Sequence, residues 1–281
     1  AVPLIIEKIV TRNVLPKLNK GVAASLIKIP LLNRIVYNKV RRSMIDFFGG
    51  NLVEVVIGGA ALNDDVEKFL RKIRFPYTVG YGMTECGPLI SYSFWTNYKM
   101  RSSGKVVDRM QVKIDSADPQ NIVGEILTKG SNLMLGYYRN EEATKQTFTE
   151  DGWLKTGDLG TLDRDNFVFI RGRNKNMILG PSGQNIYPED IEAKINGSPF
   201  VNESLVIEEN HKIVALIVPN YETLQAESIA DDHLTDFMGR IIGDINAKLP
   251  AYSKITSFRI HTEEFEKTPK RSIKRFKYQQ Q

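Results

Sequence analysis

Residues 52–85 read LVEVVIGGAALNDDVEKFLRKIRFPYTVGYGMTE, and this stretch decides the fold. An apolar run at residues 52–57 ends at a glycine pair and predicts a short buried strand. Asn63 then begins a helix as its N-cap, and Pro76 prevents that helix from continuing. A second β-type run, residues 77–79, follows directly. The order strand, helix, strand predicts two parallel strands joined by a right-handed crossover.

Glycine-rich turns follow both strands, and the topology places both turns at one edge of the sheet. Open α/β sheets bind nucleotides at the carboxyl ends of their parallel strands, which is this edge. The nearly bare backbone of Gly58-Gly59-Ala60 would let a flat base come close. After the second strand, Tyr81, beside Gly82, offers an aromatic face for the same base. Thr84 offers a hydroxyl to a phosphate oxygen, and Glu85 is a hard oxygen ligand suited to Mg²⁺.

Two further candidate binding residues lie downstream in polar turns. Asp158, within WLKTGDL at residues 153–159, is an acceptor suited to both hydroxyls of a ribose. Arg173, within GRNK at residues 172–175, offers a fork of donors to ribose or phosphate oxygens. Singly, a Gly-Asp pair is usually a turn and a Gly-Arg pair is usually surface. It is the combination of all these segments, in this order, that favours a functional interpretation.

The rest of the chain divides into three regions with different predicted secondary structure. The first 48 residues or so predict helices, and residues 104–170 predict short strands of an antiparallel barrel or half-barrel, interrupted by a helix after Asn140. A polar break places a domain boundary between a first domain, 1–172, and a second, 173–281. The second domain predicts an α+β unit with strands at 204–207 and 213–218 and an amphipathic helix that Pro250 ends.

Charge is concentrated at the beginning of the chain. The net charge is +5, but residues 1–48 carry nine Lys or Arg against Glu7 and Asp46, which is +7. These cations are either solvated faces of helices or a patch that meets an anionic membrane surface. No apolar run approaches the ~20 residues that span a bilayer, and no nucleic-acid motif is present. One cysteine, Cys86, fits a reducing cytoplasm, and the three histidines lack metal-ligand spacing.

The ordered motifs resemble those of the adenylate-forming enzymes, namely acyl-CoA synthetases, luciferases and adenylation domains. The similarity also covers residues 124–138, residues 183–192 and the terminal segment 267–276. The opening residues and GGAAL at 58–62 most resemble bacterial long-chain fatty acid–CoA ligases. The resemblance implies an α/β fold with an antiparallel β-barrel part, followed by a small α+β lid domain. The family's phosphate loop is found nowhere, so we expect this chain to lack the N-terminal portion of a larger enzyme.

The resemblance also implies an activity and its ligands. A long-chain fatty acid would be activated with ATP and Mg²⁺ to acyl-AMP, and the acyl group would pass to CoA. The nucleotide contacts would come from the residues above together with Ile170. Lys175 would be the hinge of a mobile lid, and Gly183 would lie beside the pantetheine channel. We expect a cytoplasmic protein, in contact with the inner membrane face if the basic patch binds lipid.

One position departs from the family's pattern. Four residues after the threonine of the terminal motif, the family has a lysine that bridges the carboxylate and the nucleotide oxygens. Counting from Thr268, that position here is Ser272. Either adenylation is impaired or Lys270 or Lys274 reaches the site by a shifted register, unless the tail is only a solvated basic end.

Two rival functions stay open: a fatty acyl-AMP ligase that serves a carrier protein, and a degenerate relative that binds acyl adenylates or nucleotides without turnover.

Overall fold

The computed structural model describes residues 1–181, 183–268 and 272–279, in two compact units. The units are Ala1–Asn174 and Lys175–Gln281, and each has hydrophobic cores of its own. This division between the units lies within the polar segment 171–176. It falls two residues after the boundary expected at position 172, because a strand continues to Arg173. Each unit is described by itself below.

The first 48 residues are helical, as predicted, and their apolar side chains enter a core. Ile6 and Val10 are fully buried in one cluster with Leu70 and Phe75. Most of the basic residues of this segment are exposed, and their contact with a membrane stays a prediction. Within the described part of the chain, no helix is long and apolar enough to cross a membrane. The helices are α1 (Pro3–Lys8), α2 (Leu15–Leu18), α3 (Gly21–Leu26) and α4 (Leu32–Phe47), with a π-helical stretch at Ile9–Val14.

The predicted strand–helix–strand unit is confirmed as β1 (Val55–Ile57), α5 (Asp64–Lys72) and β2 (Tyr77–Val79). The strands are parallel and pair Ile57 with Val79 at their carboxyl ends. Asn63 caps α5, because its side-chain oxygen accepts from the amides of the second and third residues that follow. The first strand is shorter than the predicted run 52–57 and begins at Val55.

The antiparallel part predicted for residues 104–170 is also confirmed. It consists of a four-stranded sheet in sequential order, preceded by a three-stranded sheet, and an isolated bridge between Lys105 and Phe167 connects the two. Ile90, Ile126, Leu154 and Val168 are fully buried in their shared core. The elements are β3 (Tyr81–Gly82), β4 (Leu89–Tyr92), β5 (Lys105–Val106), β6 (Met110–Asp115), β7 (Gly124–Gly130), α6 (Glu141–Thr147), β8 (Leu154–Leu162) and β9 (Val168–Arg173).

The second unit is built on a three-stranded sheet, and each face of this sheet packs against a different hydrophobic core. Helices cover one face around Ile195, Ala215 and Met238, and the other face packs against Phe265 with Ile273 and Tyr278. The middle strand pairs antiparallel with one neighbour and parallel with the other. The elements are β10 (Ile178–Leu179), β11 (Asn185–Ile186), α7 (Pro188–Ile195), β12 (Val201–Glu209), β13 (Lys212–Pro219), α8 (Tyr221–Ala226), α9 (Leu234–Asn246) and β14 (Ser257–Ile260).

Candidate functional site

Three glycines leave the carboxyl edge of β1 and β2 almost free of side chains. The amide of Gly80 donates to the carbonyl of Ile57 at 2.9 Å, so Gly58 and Gly80 lie side by side. A Cβ added to Gly58 would lie 3.2 Å from the carbonyl oxygen of Gly80, a distance tighter than ordinary contact. Gly59 has a φ of +91° and open space beside it, and the neighbouring Ala60 is exposed. The edge is therefore an open backbone surface, as predicted.

A tight turn follows at residues 82–88 and presents Thr84 and Glu85. The amide of Met83 donates to the carbonyl of Pro88 at 2.8 Å, and residues Thr84–Cys86 form one 3-10 turn. Gly82 is required here, because a Cβ at this position would overlap the carbonyl oxygen of Pro88. The side chain of Thr84 is exposed and that of Glu85 is half-buried. Cys86, by contrast, is completely buried.

Asp158 is held between Tyr81 and Arg173. The Tyr81 hydroxyl donates to Oδ2 of Asp158 at 2.8 Å, and Nε of Arg173 lies 2.9 Å from Oδ1. Asp158 and Arg173 are also direct partners in the β8–β9 ladder, so Asp158 lies in a strand and the predicted turn at this position is wrong. Tyr81 and Asp158 are 7% and 6% exposed, and burial, followed by the Asp158 charge, raises the pKa of Tyr81. The structure thus unites three predicted residues, with the buried Tyr81 contacting the site through its hydroxyl.

Residues that the sequence analysis did not single out fix the part of β8 that carries Asp158. The hydroxyl of Thr156 accepts from the Asp158 amide at 3.1 Å and donates to the carbonyl of Ile126 at 2.7 Å. The amide of Gly157 donates to the carboxylate of Glu125 at 3.0 Å. Thr156 and Gly157 belong to WLKTGDL and Glu125 belongs to residues 124–138, motifs already noted, and only the contacts between these motifs could not be read from the sequence. Ile170 pairs opposite Gly160 and packs on the core cluster that includes Tyr81.

Glu85 has a neighbour that the sequence analysis also missed. The hydroxyl of Tyr137 donates to Oε1 of Glu85 at 3.1 Å. The amide of Met134 donates to the backbone carbonyl of Glu85 at 2.8 Å. The described residues contain no group of three or more His, Cys, Asp or Glu able to hold a metal. One carboxylate still fits Mg²⁺, because this ion commonly binds through one or two carboxylates, waters and the phosphates of a substrate.

The remaining predicted site residues lie in the second unit. Lys175 is exposed in the 3-10 turn Asn174–Asn176, and Gly183, with a φ of +79°, lies between β10 and β11. Ser272 accepts from the Thr268 amide at 2.8 Å through its carbonyl, and Nζ of Lys274 lies 3.3 Å from Glu266. Lys270, the other candidate cation, is outside the described residues.

Comparisons with known proteins identify the family of this chain. The family profile of AMP-binding enzymes matches residues 1–138, and that of the AMP-binding enzyme C-terminal domain matches residues 175–281. The long-chain-fatty-acid–CoA ligase FadD15 of Mycobacterium bovis is 34% identical over 188 residues, which are 67% of this chain and 30% of that protein. The 4-coumarate–CoA ligase 2 of Narcissus pseudonarcissus is 34% identical over 236 residues, 76% of this chain and 40% of the relative.

Solved structures show the same fold. The o-succinylbenzoate CoA synthetase of Bacillus subtilis, in complex with its acyl-adenylate intermediate, has a TM-score of 0.66 at 25% identity and covers 84% of this chain. The adenylation domain of a carboxylate reductase from Mycobacterium chelonae has a TM-score of 0.77 at 22% identity and covers 99%. This chain covers 49% and 44% of those two chains, so it spans less than half of each protein compared. The chain belongs to the family of AMP-binding, adenylate-forming enzymes.

Proposed function

We propose that this chain is part of a ligase that activates a long-chain fatty acid with ATP to acyl-AMP and transfers the acyl group to CoA. The observation that carries the proposal is the carboxylate of Asp158, held by Tyr81 and Arg173 in the same unit as an open glycine edge. The names of the curated relatives support a CoA ligase, and FadD15 supports a long-chain acid. We further propose that polypeptide outside these 281 residues supplies the phosphate loop.

In this proposal Asp158 binds the ribose. An ionised carboxylate has about four acceptor positions, and Tyr81 and Arg173 occupy one on each oxygen. The two ribose hydroxyls would donate to this carboxylate. Arg173 is 53% exposed at its side chain, so its remaining donors can turn to ribose or phosphate oxygens. Tyr81 orients the carboxylate, and the adenine lies along the edge formed by Gly58, Gly59 and Ala60.

The phosphates of ATP are assigned to the turn that presents Thr84 and Glu85. Glu85 would hold Mg²⁺, whose charge would offset the approach of two anions when the carboxylate attacks the α-phosphorus. The Thr84 hydroxyl would contact a phosphate oxygen. Tyr137 donates to Glu85 and so orients its carboxylate. In the second unit, Lys175 serves as the lid hinge and Gly183 lines the pantetheine channel in this proposal.

A second candidate function is nucleotide binding without turnover. It is favoured by Ser272, because a neutral hydroxyl stands where the family's terminal motif has a cation. The chain would then retain the nucleotide contacts of the first unit and lack the charge that stabilises the developing negative charge. The two candidates make the same prediction for AMP binding and differ in turnover.

The test is AMP binding by the 281-residue chain, measured by titration calorimetry. Asp158→Asn keeps the shape of the side chain and removes its charge, so we expect AMP affinity to fall at least tenfold. The matched control is Asp163→Asn, because Asp163 is also an aspartate paired with a cation, Lys99, but lies directly after the end of β8. The control should bind AMP within twofold of wild type.

Two results would contradict the proposal. Equal affinities for both variants would remove Asp158 from the binding site. Robust ATP–pyrophosphate exchange by the 281-residue chain, assayed with long-chain fatty acids, would show that no phosphate loop needs to be supplied from outside it.

A further inference from the structure

The last described segment, residues 272–279, is fastened to helix α7 by one arginine. The guanidinium of Arg275 contacts the carboxylate of Glu192 and donates to the carbonyl of Val206 at 3.1 Å. It also lies 3.8 Å from Glu189. The side chains of Arg275 and Glu192 are only 14% and 12% exposed, and 83 positions separate them in the sequence. One guanidinium therefore joins the tail, helix α7 and strand β12.

A second contact orients the carboxylate of Glu192 toward Arg275. Its other oxygen accepts from the amide of Val206 at 2.6 Å, so the carboxylate has one orientation. Burial raises the pKa of Glu192 to about 7, and the Arg275 charge opposes that rise. Loss of one partner would leave a buried charge uncompensated, which is costly. The other tail cations differ, because Lys274 and Lys277 pair with the half-exposed Glu266.

The candidate catalytic positions lie next to Arg275 in the chain. The amide of Lys274 donates to the carbonyl of Glu266 at 2.8 Å, and the amide of Thr268 donates to the carbonyl of Ser272 at 2.8 Å. These two bonds pair residues 266–268 with residues 272–274, and the two paired segments are called the arms of a hairpin below. Arg275 follows Lys274 directly, so its anchored side chain fixes one end of this hairpin.

A second carboxylate near Arg275, that of Glu189, contacts a residue at the beginning of the second unit. The side-chain amide of Asn176 donates to Oε1 of Glu189 at 2.6 Å. Glu189 in turn faces Arg275. A continuous polar path thus runs from Asn176, the neighbour of the predicted hinge Lys175, to the residue beside Lys274.

We propose that Arg275 and Glu192 are positioning residues, which hold the hairpin arms 266–268 and 272–274 in one place on α7. Position 272 and Lys274 then move together with the residues next to the hinge. This rests on the proposed function, in which the tail brings a group to the adenylation site. Arg275 acts through the hairpin and not on the substrate.

The test is amide hydrogen exchange in the 281-residue chain, followed by NMR at Lys274 and Thr268. Arg275→Gln should speed exchange at both amides at least tenfold, with the amides of β13 and those of β12 other than Val206 unchanged. Glu192→Gln retains an acceptor for Val206 but loses the charge, so the same result is expected. The double variant should exchange no faster than either single one, because both remove the same interaction. Arg275→Lys should restore only part of the protection, since an ammonium lacks the fork.

Lys277→Gln is the matched control, because it removes a tail cation whose carboxylate partner is half-exposed. It should change exchange at Lys274 less than twofold. Additive effects of the two single variants would overturn the proposal, and so would an equal rise at the amides of β12. The AMP titration of Asp158→Asn reports on the first unit alone, so failure of this proposal and failure of the proposed function are distinguishable.

Discussion

At the scale of single residues, the candidate carboxylates are oriented by partners far away in the chain. Asp158 accepts from Tyr81 across 77 positions, and Glu85 accepts from Tyr137 across 52. The sequence analysis found Asp158, Glu85 and Tyr81 because each follows a strand or a glycine turn. It could not predict that Tyr81 would be buried against Asp158, because no local pattern specifies a contact between distant segments.

Ser272→Lys should restore the cation that the family's terminal motif has at this position. The assay uses a chimera that joins this chain to the upstream part of the Mycobacterium bovis relative. We expect the rate of acyl-AMP formation to rise at least tenfold, since a preorganised charge at a transition state is typically worth ~10²–10³ in rate. Thioester formation from pre-made acyl-AMP is the control and should change little.

The prediction for Ser272→Lys would be contradicted if Lys274 supplied the cation instead. Its ammonium lies 3.3 Å from Glu266, so its charge is already paired. If Ser272→Lys leaves adenylation unchanged while Lys274→Ala abolishes it, Lys274 supplies the cation by a shifted register and the role given to position 272 is wrong.

At the scale of elements, the hairpin β3–β4 depends on a glycine and helix α9 does not. Gly82→Ala should lower the free energy of unfolding by about 1–3 kcal/mol, because its Cβ would overlap the backbone of Pro88. Gly243→Ala is the control in α9, where a Cβ would meet nothing within 4 Å. It should raise the free energy by about 0.5–1 kcal/mol. Urea unfolding followed by far-UV circular dichroism measures both, and a neutral Gly82→Ala would contradict the packing argument.

The elements that the sequence predicted well are those with local signals. Helix α5 has a capping asparagine and a terminating proline, and it was confirmed with its flanking parallel strands. Helix α9 was predicted to continue to Pro250 but ends at Asn246, although Leu249 still packs in the core. Strand β14 was not predicted; its four residues pair in parallel with β13, a contact that no local pattern specifies.

At the scale of the whole molecule, every residue proposed to contact AMP lies in the first unit. Both tryptophans, Trp95 and Trp153, lie there too, so their fluorescence follows the unfolding of that unit. A ligand that binds only the folded state stabilises it by mass action, by about 2.7 kcal/mol at a hundred times its Kd. We expect saturating AMP to raise the urea midpoint of tryptophan fluorescence and to leave amide exchange in β12 and β13 unchanged.

Protection of β12 and β13 by AMP would contradict this expectation and extend the nucleotide site to residues of the second unit. Asp158→Asn is the control variant and should show a much smaller midpoint shift at the same AMP concentration. The sequence analysis anticipated two domains from the polar segment 171–176. It could not anticipate where the tail 272–279 lies, since the Arg275 pair that anchors it depends on a contact made only in the folded chain.

The burial of Cys86 has a practical chemical consequence. Burial, followed by the charge of Glu85, raises the pKa of its thiol to about 11, so almost none of it is thiolate at neutral pH. Since the sequence contains one cysteine, the folded chain should resist alkylation and oxidation. An exposed thiol introduced by Ser272→Cys would then be the single fast-reacting group. The natural protein is thus already a suitable background for attaching a spectroscopic label to the tail.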